Sequence, residues 1–211
     1  MNWGFVFYCF LTFFLIIDAV ANIPIFGGLL SGKPEKKRKK IVRQALLIAG
    51  IVLGVLTVVG KPFFSALGVE MYSFRIAGGI LLFIIALEML FGKHTRTEYS
   101  EEENQRAKEL DDVTVTPMAI PLLTGPGAIT TGIVLFDSAV PADKPLVIVG
   151  LALAFLASWI VLELGEKVFE KLGPVAIKVV VRVMGLILAG IAVQFIFNGL
   201  SEGIKSVWPI L

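Results

Sequence analysis

Asp18 and Asn22 lie four residues apart in the run Ile17-Asp18-Ala19-Val20-Ala21-Asn22-Ile23-Pro24. Polar side chains inside an apolar stretch must find polar partners or a wet cavity. A carboxyl group so placed can take up and release a proton as its access to water changes, which makes Asp18 the candidate coupling residue. Pro24 removes a backbone donor and disfavours a helical Ile23, so carbonyls just before it are left free to bind a ligand. A second stretch, residues 117–132, packs three prolines and three glycines into 16 positions and cannot form a regular helix. Within it, Thr124, Gly125, Gly127, Ala128 and Thr130 surround the interruption. A broken helix presents free amides and a positive dipole end on one side, and free carbonyls on the other. Two such breaks can bind a small polar solute without any catalytic group.

Arg75 and Arg182 also fall inside apolar stretches. Either can pair with Asp18 or tie helices together, and the tying role is favoured because buried charges are usually paired. Gln194, with Asn198 one turn on, can line a path or bridge helices by hydrogen bonds. Glu88 and Glu163 fall near helix ends, from which they can reach water.

The elements that must hold these residues are transmembrane helices. Of 211 residues 56% are hydrophobic and only 17% charged, with a mean hydropathy of +0.87. Soluble domains carry about 45–50% apolar and about 25% charged residues. A crossing needs about 20 apolar residues. The runs predict helices over residues 3–30, 41–60, 72–91, 116–136, 146–164 and 175–200. The first, at 28 residues, is too long for one straight crossing and is predicted to break, as is the fourth. No alternation of the kind a membrane β-barrel needs is present. Ala19-Val20-Ala21 resembles a signal-peptide cleavage site, but no lysine or arginine precedes the apolar run, so residues 3–30 read as a span. The lone Cys9 cannot form an internal disulfide.

Basic residues crowd one side. Lys33, Lys36–Lys40 and Arg43 follow the first span, Lys93, Arg96, Arg106 and Lys108 the third, and Lys167, Lys171 and Lys178 the fifth. The opposite side has Lys61, Lys144 and Lys205. The positive-inside bias then places both termini outside the cell membrane. The Lys36–Lys40 run is a topology signal that can also meet anionic membrane lipid.

The third and sixth spans align without gaps at an offset of 107 residues, matching Arg75 with Arg182, Gly78 with Gly185 and Gly92 with Gly199. At the same offset Asp18 falls opposite Gly125, so both breaks occupy one place in a repeat. Three spans per repeat force the second copy to be inverted, an architecture of secondary transporters. The predicted organisation is all-α: repeats over residues 1–92 and 116–211, joined by a polar cytoplasmic linker over 93–115.

Other classes fit poorly. A net charge of +2 gives no reason to expect nucleic acid. Gly27–Lys33 fits the first seven positions of a phosphate-binding loop, but Pro34 replaces the hydroxyl residue that magnesium needs. The sole histidine, His94, lies in a loop, so no zinc cluster or serine–histidine pair forms in the membrane. Neither an enzyme, a metal site nor a cofactor is expected. A channel can also use broken helices, and an exporter differs from an importer only in the gradients that drive it. These two remain the alternatives, and the oligomeric state is left open.

The stretches from Asp18 to Phe26, from Pro117 to Ile129, Arg75-Ile76-Ala77-Gly78-Gly79-Ile80-Leu81, and Arg182 to Phe195 together resemble the MarC family of membrane proteins. The resemblance spans essentially the whole chain. Ala19 and Ala21 stand where family members often have proline and glycine. For an archaeal-type branch the resemblance implies transport of small neutral amino acids, with uptake of glycine and alanine driven by a cation gradient, protons before sodium. For such a zwitterion, the amides of Gly125–Ala128 with Thr124 or Thr130 would hold the carboxylate. Carbonyls before Pro24, Ile23 among them, with Asn22 would hold the ammonium. Arg75, Arg182, Gln194 and Pro24 would support or gate the site, and its small volume would admit glycine, alanine or serine.

Overall fold

Backbone inside hydrocarbon has no water to bind, so apolar runs close their hydrogen bonds within themselves as helices. The computed structural model describes residues 2–30, 33–92 and 123–207, and every regular element among them is helical. In chain order these are α1 (Trp3–Ile17), α2 (Ala19–Leu29), α3 (Glu35–Ala66), α4 (Met71–Phe91), α5 (Pro126–Ser138), α6 (Lys144–Glu163) and α7 (Gly165–Val207). Five stretches are long and apolar enough to cross a membrane: Trp3–Ile23, Glu35–Ala66, Met71–Phe91, Lys144–Glu163 and Val175–Ser206. The chain is therefore a multi-pass membrane protein.

The expected spans shift in three places. The first is two helices, α1 and α2, divided at Asp18. The second starts earlier, because Lys36–Lys40 belong to the first turns of α3, where Glu35 and Lys39 pair at 2.9 Å across one turn. The sixth extends to both sides of its expected range, with Gly173 at φ 69°, ψ 166° separating a leading segment from the membrane-length part. Of the expected fourth span, residues 116–122, with Pro117 and Pro121, lie outside the described residues, as does the 93–115 linker with His94. Its described part, α5, has 13 residues.

Helix directions follow from which residues meet. α4 and α7 are antiparallel and tightly packed. A Cβ on Gly79 would fall 2.9 Å from the Ala192 carbonyl, one on Gly185 3.0 Å from that of Ala86, and one on Gly199 2.9 Å from that of Tyr72. α1 and α6 run parallel: Gly150 faces Val6, Cys9 and Phe10, and Gly165, just beyond α6, faces Ile23. α3 and α5 are also parallel, with Thr124 against Ala49, Gly132 against Thr57 and Gly60 against Ile133. α3 crosses α6 antiparallel, Gly50 by Phe155 and Gly54 by Leu151. It follows that α5 runs opposite to α1. Lipid offers no hydrophobic drive for helix association, so such close backbone approach is what holds the bundle.

Gly199→Leu is accordingly expected to lower the thermal midpoint of the detergent-solubilised protein by several degrees, since overpacking costs about 1–3 kcal/mol. Gly190→Leu on the same helix, where a Cβ meets nothing within 4 Å, should leave it unchanged. Scanning fluorimetry of the two variants reads the difference.

Candidate functional site at two helix breaks

At Asp18 the backbone turns left-handed, with φ 50° and ψ 50°, the one non-glycine residue among those described with positive φ. That conformation costs most residues about 1–2 kcal/mol, and aspartate tolerates it through local hydrogen bonds. Here those bonds are visible. The Asp18 amide donates to the Phe14 carbonyl at 3.2 Å and so closes α1. The Asp18 carbonyl accepts from the Asn22 amide at 3.1 Å, and Oδ1 accepts from the Ala21 amide at 3.4 Å, so the same residue caps α2. The Asn22 side chain donates through Nδ2 to the Ile17 carbonyl at 3.1 Å, one of the acceptors that the end of α1 leaves open. Asp18 and Asn22 are only 8% and 7% exposed. The break therefore sits at Asp18, with Pro24 carried inside α2, not at the proline.

At the second break Gly125 is extended, φ −70° and ψ 166°, and α5 starts at Pro126. Pro126 has no N–H, and the Ala128 amide donates to the Gly125 carbonyl at 2.9 Å. Of the amides expected to face a ligand, Ala128 is thus already engaged, and those of Gly125 and Gly127 fit the task better. The threonine hydroxyls are turned to backbone as well. Thr124 donates to Ala49 O at 3.4 Å, Thr130 to Pro126 O at 2.6 Å and Thr131 to Gly127 O at 2.8 Å. The Thr130 methyl also fills the space a Cβ on Gly78 would need, 2.3 Å away, so this residue packs α5 on α4.

The two breaks lie at comparable depth. Phe13 approaches Gly132, its ring carbon 3.6 Å from where a Cβ would stand. From that crossing, α1 continues five residues to Asp18 and α5 goes back seven to Gly125, about 8 and 10 Å in one direction at 1.5 Å per residue. Below them, towards the basic end, a cavity of about 350 Å³ reaches Ile23 and is bordered by Phe26, Arg38, Lys39, Trp159 and Glu163. Lys39 and Glu163 stand 4.0 Å apart at its rim.

The model of the MarC family, described as integral membrane protein, matches residues 3–204. The chain belongs to the MarC family. Among its relatives, a UPF0056 membrane protein of Pyrococcus abyssi is 39% identical over 89% of this chain and 90% of its own length. Another, from Methanocaldococcus jannaschii, is 35% identical over 93% and 87%. YvbG of Bacillus subtilis is 31% identical over 100% and 99%. These names describe membrane proteins and state no activity. No solved structure matches the chain.

In this MarC-family chain the arginines part ways. Arg75 is buried at the end of the bundle opposite Lys33–Lys40. Its Nη2 donates to Ser138 Oγ at 2.9 Å and stands 3.9 Å from Asp137, while Nη1 pairs with Glu202. Asp137 also pairs with Lys61. Arg75 therefore clasps α3, α4, α5 and α7 together and does not serve Asp18. Arg182 and Gln194 are exposed on α7, and Gln194 donates to Asn198 at 2.8 Å. The clasp was missed in the sequence apart from Arg75. Asp137, an acid inside the run 133–140, was the available signal.

Because Glu202 is half exposed, Glu202→Gln should destabilise by less than about 1 kcal/mol. Arg75→Leu, which removes a buried donor from several partners, should cost about 1.5–3 kcal/mol. Denaturant unfolding in mild detergent compares the two, and equal losses would show that Glu202 is the clasp's only effective partner.

Proposed function

We propose that this protein is a secondary active transporter of small neutral amino acids, glycine, alanine and serine, working by alternating access rather than as an enzyme. Uptake is coupled to a cation, the proton in preference to sodium. The protein sits in the cell membrane with both termini outside. The observation that carries the reading is the division of the first span at Asp18 and the start of α5 at Pro126 at comparable depth, with α2 and α5 running in opposite directions. Interrupted segments at matching places in two halves mark transporter binding sites.

The packing favours two inverted repeats over residues 1–92 and 116–211. An exchange of halves by the 107-residue offset carries Ile23 to Thr130 and Gly165 to Val58. Ile23 and Gly165 touch, and next to the exchanged pair Thr57 and Gly132 touch. The exchange likewise turns the packing of α2 on α6 into that of α5 on α3, and returns the α4–α7 pair to itself.

A zwitterion fits between the breaks by charge. The start of α5, with the amides of Gly125 and Gly127, offers a positive dipole end to a carboxylate. The end of α1, with its carbonyls, Asn22 Oδ1 and the Asp18 carboxylate, offers acceptors to an ammonium. On this reading Thr124 and Ile23 would close the sides around a small side chain. The cavity bordering Ile23 is the inward route, and the Arg75 clasp closes the opposite end. Moving one charge with the substrate draws about 2.3 kcal/mol per 100 mV, enough for roughly fiftyfold accumulation.

The test is radiolabelled glycine uptake into proteoliposomes under a proton gradient and then a sodium gradient. Accumulation that the matching ionophore collapses supports the reading and names the ion, equilibration alone indicates a channel, and no uptake removes the substrate assignment. Asp18→Asn isolates the coupling, because asparagine caps helices and tolerates the left-handed turn as aspartate does. It should keep glycine affinity within about tenfold, 1.4 kcal/mol, yet lose accumulation. Full accumulation by this variant would remove Asp18 from coupling.

A further inference from the structure

On the outer face of the bundle, away from both breaks, α3 and α6 leave an apolar groove of about 540 Å³ between them. Gly50 and Gly54 form its floor on α3, and Leu47, Ile51, Ala152 and Leu156 its walls. One end carries Arg43 and Trp159, the other Gly54 and Ile148. Ile51 is 66% exposed, Leu47 55% and Leu156 48%, so among the described residues nothing covers it. From Arg43 to Gly54 the groove is about 16 Å long at 1.5 Å per residue, close to the roughly 15 Å of one leaflet of hydrocarbon.

Arg43 decides what the groove accepts. It is exposed and, among the described residues, pairs with no acid. Lys39, one turn earlier, is already shared between Glu35 and Glu163. An apolar slot of leaflet length that ends on an unpaired guanidinium and an interfacial tryptophan matches a phospholipid in both halves: acyl chain below, phosphate above. Tryptophan marks the headgroup level, and a guanidinium holds phosphate oxygens in a forked pair of hydrogen bonds.

We infer that the α3–α6 groove is a binding site for an anionic phospholipid, its acyl chain lying along Gly50 and Gly54 and its headgroup held by Arg43. The site is independent of the transport reading. The basic end of α3 selects the leaflet, the cytoplasmic one under the positive-inside bias, whose anionic lipids attract basic residues near the surface.

Trp159 reports on occupancy directly. Full-length protein carrying Trp3→Phe and Trp208→Phe is reconstituted with brominated phosphatidylglycerol or brominated phosphatidylcholine of the same chains, and quenching of Trp159 is measured. Phosphatidylglycerol is expected to bind about fivefold more tightly, the discrimination one basic residue near the surface provides. Arg43→Gln should abolish that preference, while Lys36→Gln, two turns further out, should retain it. Gly50→Leu with Gly54→Leu should reduce quenching by both lipids. The fold should tolerate this pair, since a Cβ at either position meets neighbours at 3.6 Å or more. Equal binding of the two lipids, or an unchanged preference in Arg43→Gln, overturns the proposal. So does a Trp159 quenched by neither lipid in a protein that light scattering shows to be dimeric, because a second copy then covers the groove.

Discussion

Everything in this molecule is arranged around the cost of an unsatisfied backbone group in hydrocarbon. A helix that stops at depth exposes carbonyls at one end and amides at the other, each worth several kcal/mol without a partner. Asp18 and Asn22 resolve this for the first break by working as a unit. The aspartate closes α1 with its amide and opens α2 with its carbonyl and side chain, while the asparagine returns to the Ile17 carbonyl. The polar residues make the interruption possible; they are not simply placed beside it. The second break is organised differently, by an extended Gly125, a proline without a donor and threonines that bond back to the helix.

Glycine carries the remaining constraint. Where lipid and helix surface are equally apolar, association depends on how closely backbones approach. The α4–α7 pair shows this at Gly79, Gly185 and Gly199, each seated on the partner's backbone. Among the described helices this interface forms the most extensive seam of the bundle. The Arg75 clasp then locks one end of that seam to α5 and α3 through Glu202, Ser138 and Asp137. Tight packing along this seam and ionic closure at one end contrast with the other end, where the cavity beside Ile23 opens.

Much of this was legible in the residues. Hydropathy alone located the five spans found among the described residues, because burial in lipid demands uninterrupted apolar length, and the membrane class follows from it. That the first span breaks was legible too, from polar and proline residues in an apolar run. The position of the first break was not. The run from Asp18 to Pro24 left it open between the two, but a proline several residues into a helix removes only one hydrogen bond, whereas aspartate can support a left-handed turn and two caps at once. The role of Thr130 was also hidden, as were the partners of Arg75. A hydroxyl at depth looks like a ligand-binding group until the carbonyl four residues back is seen to take it, and a buried arginine shows its partners only when distant acids such as Glu202 are brought across the bundle.

The double duty of Asp18 joins structure to the proposed coupling. As a carboxylate it accepts from the Ala21 amide at the first turn of α2. Hydrogen bonds to an ionised acceptor are roughly twice as strong as those to a neutral one. Protonation therefore weakens the cap that fixes α2 against α1, and does so where the two half-helices meet. Under the proposed coupling, the left-handed turn at Asp18 would serve as a hinge whose stiffness depends on the proton. The proton would then act on the helix break itself, and a substrate held against that break and the amides of Gly125 and Gly127 would experience the change as a movement of α2. Coupling then needs no relay of acids across the membrane, which agrees with a buried core where, among the described residues, Asp18 is the one buried carboxylate.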